Sequence, residues 1–149
     1  MKHITNFVGG GLLLVAGLAT LGALSVAQAR AGDIEAQCPQ GDATLRGTYM
    51  SRGGGTVVGT GPITFIGTIY FDGKGNLSNP FTGSLNGTII RATGAENFGT
   101  YSINSDCSGT QILGGGHFDI RVSPDGNKVD YIDTDSPEVV SGSASRVNY

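Results

Sequence analysis

The stretch His117-Phe118-Asp119-Ile120-Arg121-Val122 sets a histidine, an aspartate and an arginine at every second position. An imidazole changes charge near neutral pH, and a neighbouring carboxylate or guanidinium can orient it, so such a row could carry a proton. In an extended chain this spacing puts the three polar groups on one face and Phe118, Ile120 and Val122 on the other. The economical expectation sends the apolar trio inward and the charged trio to solvent or a neighbouring subunit, because burying Asp119 with Arg121 incurs desolvation. The competing expectation puts the row at the mouth of a cavity, with His117 as proton carrier and Asp119 or Arg121 holding it.

Phenols are the other chemistry-bearing groups. Tyr49, Tyr70, Tyr101 and Tyr131 fall inside alternating stretches, where a phenol can enter an apolar interior and offer one hydrogen bond. His117 and Tyr70 form the candidate catalytic pair. Tyr49, Phe65, Ile69, Phe71, Tyr101 and Tyr131 are the candidate ligand-binding residues, with core packing as the competing role for each. No metal site and no cofactor is expected: beyond His3, His117 is the only histidine, which does not suit multi-histidine centres. The acidic row Asp130, Asp133, Asp135 and Glu138 fits no EF-hand spacing and reads as a solvated strand end. Nucleophile-elbow, phosphate-loop and dinucleotide fingerprints are missing. The absence of tryptophan weakens the case for a carbohydrate-stacking surface.

The start of the chain directs it elsewhere. Residues 1–29 carry Lys2, an apolar run from Leu12 to Val26, and Ala27-Gln28-Ala29, the pattern of a secretory signal peptide cleaved after Ala29 or, alternatively, Ala31. The run is shorter than the roughly 20 apolar residues of a membrane anchor and is interrupted by glycine. A secreted or periplasmic location follows, with no membrane attachment after cleavage. The formal charge of −3 gives no reason to bind nucleic acid. Cys38 and Cys107 are the only cysteines. In an oxidising compartment one disulfide is the simplest use of them, with free thiols or a metal thiolate as the weaker alternative. The bond would tether a leader (30–43) to a later strand.

Past Thr44 the period is two. Ile63, Phe65, Gly67, Ile69 and Phe71 alternate with Thr64, Ile66, Thr68 and Tyr70, and Asp72-Gly73-Lys74-Gly75-Asn76 then breaks the run with hairpin chemistry. Strands are expected near 45–51, 63–71, 76–85, 88–92, 98–104, 110–113, 117–122, 129–134 and 139–147. Arg52–Pro62, the glycine-rich stretch, reads either as a lid or as a strand edge and corner. The fold class is therefore all-β: one antiparallel barrel of about eight strands over 44–149.

The phrases FDGKGNLS (Phe71–Ser78) and GTYSINSDCSGT (Gly99–Thr110) resemble signatures of small exported bacterial β-barrel proteins of unassigned function. More loosely, the architecture is similar to the barrels of allene oxide cyclases and dirigent proteins, and to lipocalins in outline. That resemblance implies an apolar lumen holding a small organic molecule. It transfers a scaffold and no active site, since neither family's catalytic residues map onto this chain.

The function expected first is a secreted barrel that binds a small hydrophobic or phenolic molecule. A barrel enzyme of cyclase or isomerase type, and a structural or interaction protein of the cell envelope, are the alternatives. Assembly into a homo-oligomer stays open.

Overall fold

Alternation builds the wall. Along Gly61–Asp72, Ile69 and Phe71 are buried while Ile66 and Tyr70 are exposed, so one side of the strand turns toward a common interior. The computed structural model describes residues 37–135 and 137–147. A short 3-10 turn, Gly41–Thr44, precedes ten strands. They are β1 (Arg46–Val57), β2 (Gly61–Asp72), β3 (Asn76–Ser78), β4 (Phe81–Leu85), β5 (Thr88–Ala92), β6 (Phe98–Ile103), β7 (Ser108–Leu113), β8 (Gly116–Val122), β9 (Lys128–Asp133) and β10 (Val139–Arg146). Residues 1–29, read above as a signal peptide, lie outside the described residues, as do 30–36 of the leader. Among the described residues no helix is long and apolar enough to cross a membrane, a statement that does not bear on strands.

The ring closes through β1, which pairs with β2 on one edge and with β10 on the other. From β10 each strand pairs antiparallel with its predecessor back to β6, which pairs with β3, and β3 returns to β2. Eight strands therefore form a closed antiparallel barrel, as the sequence pattern implied. The β4–β5 hairpin is not one of those eight strands: β4 pairs with Ile63–Gly67 of β2, the edge β3 also uses, and Phe81 of β4 packs on Phe65. No ladder joins β5 to β6 among the described residues.

Two elements differ from the sequence reading. The single strand expected over 76–85 is split, because Pro80 has no N–H to give a ladder. Asn79 fills the break: its Nδ2 donates to the Thr68 carbonyl at 3.0 Å, and the Thr68 N–H donates to the Pro80 carbonyl at 3.0 Å. Asn97 clasps the same point, donating from Nδ2 to the Asn79 carbonyl at 2.9 Å while accepting the Asn79 N–H at 2.8 Å. The second difference is the glycine-rich stretch, read as a lid or as a strand edge and corner: it is a strand that turns a corner at 58–60, but not an edge. Arg52–Thr56 is paired on both sides, to β2 and to β10. Glycine is needed there: a Cβ on Gly53 would lie 2.5 Å from the Phe65 ring and 2.6 Å from the Ser141 carbonyl. A side chain would hold those strands apart.

One end of the barrel is filled. Phe71 meets Tyr49 and Tyr101 edge-on, with ring centroids 5.1 and 5.0 Å away. Leu45, Ile69, Ile120 and Val129 pack among them, none more than 1% exposed. The segment before β1 caps this end. Cys38 is disulfide-bonded to Cys107, Tyr101 Oη donates toward the Asp42 and Leu45 carbonyls at 3.0 and 2.9 Å, and Asp42 Oδ1 accepts the Ile103 N–H at 2.7 Å. At the same end Tyr49 Oη donates to the Gly126 carbonyl and accepts from Arg146 at 2.8 Å.

Candidate functional site

Beyond that aromatic plug the inward positions enclose space instead of each other. A cavity of about 630 Å³ opens at the other end of the barrel, lined by residues of β1, β2, β4 and β7 to β10 and by the loops between them. Four rings form a connected chain along its wall. Phe81 is edge-on to Phe65 (6.3 Å), Phe65 stacks on Tyr131 (6.5 Å, planes 18° apart), and Phe118 is edge-on to Tyr131 (6.1 Å). Two glycines make room for this: Phe65 lies over Gly53, and the Tyr131 phenol lies over Gly142. Ile63, Leu85, Leu113 and Val140 complete an apolar lining.

Few polar groups face this space, and one is unusual. Gln111 is 2% exposed, and its Oε1 has no hydrogen-bond partner. It sits on β7 between Tyr101 of β6 and Phe118 of β8, where the filled end meets the cavity. A buried acceptor left unmatched costs about 1–3 kcal/mol, so a fold retains one only for a reason.

Tyr131 offers a second polar handle. Its Oη lies 3.3 Å from the Arg52 carbonyl, and burial pushes the phenol up to about 12. At neutral pH it is a hydrogen-bonding group and not a base. A phenol whose value rises on folding contributes stability that is fully present below about pH 10 and lost as pH rises through about 12. Tyr131→Phe therefore flattens the alkaline limb of the stability curve, and tyrosinate absorbance in the folded wild type shows Tyr131, together with Tyr101, whose phenol burial also raises, resisting ionisation beyond pH 10.

The mouth is acidic. Asp135 and Glu138 line the cavity, and no Lys or Arg does so among the described residues. Hydrogen bonds from the His117 backbone N–H (2.8 Å) and then from its ring lower the Asp135 carboxyl below its ordinary value. Burial, then the negative charge of Asp133, raise Glu138 above its own. No group of three or more metal-ligating side chains occurs among the described residues.

The candidates named from sequence separate into three places. Phe65, Ile69 and Tyr131 line the cavity. Tyr49, Phe71 and Tyr101 belong to the filled end and do not reach it. Tyr70 and His117 point outward, Tyr70 being 53% exposed and the His117 side chain 58%. The proposed catalytic pair is thereby corrected. Burying Ile69 and Phe71 forces Tyr70 to the opposite face, and turning Phe118 and Ile120 inward does the same to His117, Asp119 and Arg121. Instead of facing the lumen, His117 is tied through Nδ1 to Asp135 at 3.0 Å on the outer rim. Phe81, Phe118 and Gln111 were not among the sequence candidates. For Gln111 a signal existed: Gly109, Gln111 and Leu113 share a face of β7, but Thr110 and Ile112 made the opposite choice of face equally readable.

Comparison with known proteins adds little. Neither a protein-family description nor a curated protein matches the chain. A solved de novo designed fluorescence-activating β-barrel aligns over 70% of this chain and 94% of its own, at 16% identity and a TM-score of 0.44. That likeness is too distant to carry an argument.

Proposed function

We propose that this protein is an exported barrel that holds a small hydrophobic or phenolic molecule in its lumen without transforming it. One observation carries the reading: a buried glutamine, Gln111, with its Oε1 unpartnered, lines a cavity whose inner wall is mainly four aromatic rings and aliphatic side chains. A cavity of about 630 Å³ is within the range that accommodates small organic ligands, and apolar walls with a few placed polar groups are their usual setting. A phenol or hydroxyl donating to Gln111 would satisfy the acceptor while its body replaces water along the rings. The Cys38–Cys107 bond supports an oxidising compartment, in keeping with the signal-peptide reading of residues 1–29. The resemblance to small exported bacterial barrels remains part of this proposal. A cyclase or isomerase role is less favoured, because His117 and Tyr70 lie outside the lumen on strands that do not pair.

Gln111→Leu tests the reading in two directions at once. Removing the orphan acceptor for an apolar group of similar size stabilises the ligand-free protein by about 1–2 kcal/mol, seen as a higher midpoint in urea. The same change weakens 4-ethylphenol binding about tenfold by calorimetry, the loss of one buried hydrogen bond. A wild-type protein that binds no neutral phenol and yields no small molecule in native mass spectrometry after purification from its host would end this proposal.

A further inference from the structure

We infer that the lumen discriminates by charge, taking cationic arylalkyl amines in preference to neutral aromatic molecules and rejecting aromatic carboxylates. This deepens the reading of the same cavity given above and rests on it. Three observations converge. First, the wall presents four ring faces and edges in one chain, Phe81–Phe65–Tyr131–Phe118. The faces of such rings carry negative potential and attract an ammonium group, all the more where water is displaced. Second, the charged groups lining the cavity are both carboxylates, Asp135 and Glu138, with Asp133 close enough to Glu138 to repel it. A mouth bearing one sign of charge draws in opposite charge and opposes its own, to a degree that salt screens. The imidazole of His117 does not cancel this, since it bonds Asp135 from the outer face while more than half exposed. Third, Gln111 lines the same cavity, and its buried Oε1 is an unmatched acceptor. Its Oε1 calls for a donor on the ligand, while its Nε2 can donate in turn, so the sign of charge is set by the rings and the carboxylates.

A ligand with a hydroxyl-bearing or N–H-bearing aromatic body and an ammonium tail satisfies all three features. The body occupies the ring-lined chamber with its donor on Gln111, and the ammonium stays near the rings and carboxylates of the mouth. An aromatic acid of the same shape would bring a negative charge to Asp135 and Glu138, with no Lys or Arg among the lining residues to receive it.

A matched set of probes sharing one hydroxyphenyl-ethyl body tests this: tyramine, 4-ethylphenol and 3-(4-hydroxyphenyl)propionate, titrated into the disulfide-bonded chain by calorimetry at neutral pH. The expected order is tyramine about fivefold tighter than 4-ethylphenol, with the propionate weakest. The advantage of tyramine shrinks as salt approaches about 0.5 M. In Asp135→Asn/Glu138→Gln the tyramine to 4-ethylphenol affinity ratio falls toward one. If 4-ethylphenol binds and tyramine binds no tighter, or the propionate binds best, charge selection is overturned while the phenol-binding reading stands. If none of the three binds, charge selection falls, and the binding reading falls with it when native mass spectrometry of the host-purified protein also shows no small molecule.

Discussion

Phe71→Ala lowers the free energy of unfolding by about 3–5 kcal/mol, the cost of emptying an aromatic position in a packed core. Phe81→Ala costs about 1–2 kcal/mol, because part of its surface already faces open space and little new void is created. The contrast follows from axial position along one barrel. Phe71 is 0% exposed and gripped edge-on by Tyr49 and Tyr101. Phe81 is half-buried, contacts Phe65 alone among aromatic rings, and borders the cavity. Urea unfolding of the two variants against wild type, with the slope checked for constancy, measures both numbers. Equal losses would mean that the open end is packed in solution as tightly as the filled one, and would remove the cavity on which the functional reading depends.

Reduction of Cys38–Cys107 lowers stability by about 4 kcal/mol, the loop-closure entropy for a separation of 69 residues. The bond does more than restrict the unfolded chain. It fixes the capping segment over the filled end, where the Cys38 N–H also donates to the Ser105 carbonyl at 2.9 Å and Asp42 bonds the Ile103 N–H. Thermal unfolding with and without a thiol reductant gives the size of the effect. Reduction is a cleaner test than substitution, because Cys107 has a φ of +65° and a different residue there also changes backbone strain. A loss below about 1 kcal/mol would show that the cap holds without its covalent tether.

Most of the wall was legible in the sequence, for a simple reason: side chains alternate faces along a strand, and apolar residues mark the inner face wherever the other is wet. The hairpin after Phe71 was equally plain, and Gly73 and Gly75 there have φ of +76° and +93°. The site was less legible. Alternation says which residues point inward but not how far along the axis they lie, which depends on strand tilt and stagger around the ring. Tyr101 and Phe65 are alike in their local patterns, yet one fills the plug and the other lines the cavity. The glycines at 53–55 read equally as a lid or as a strand edge and corner because their purpose is contact with a neighbouring strand, and nothing local records that partner. Pro80 splits a strand that its flanking residues support on either side. Gln111 stayed hidden because a lone inward amide breaks the very apolar rule used to choose the face.

The β4–β5 hairpin hangs from β2 by one edge, and no backbone ladder joins it to β6. A cylinder with such a leaf can swing part of its rim aside while all eight staves remain joined. Under the binding reading proposed above, uptake and release of a guest would pass by the Asn79–Asn97 latch, whose buried hydrogen bonds also contribute to stability.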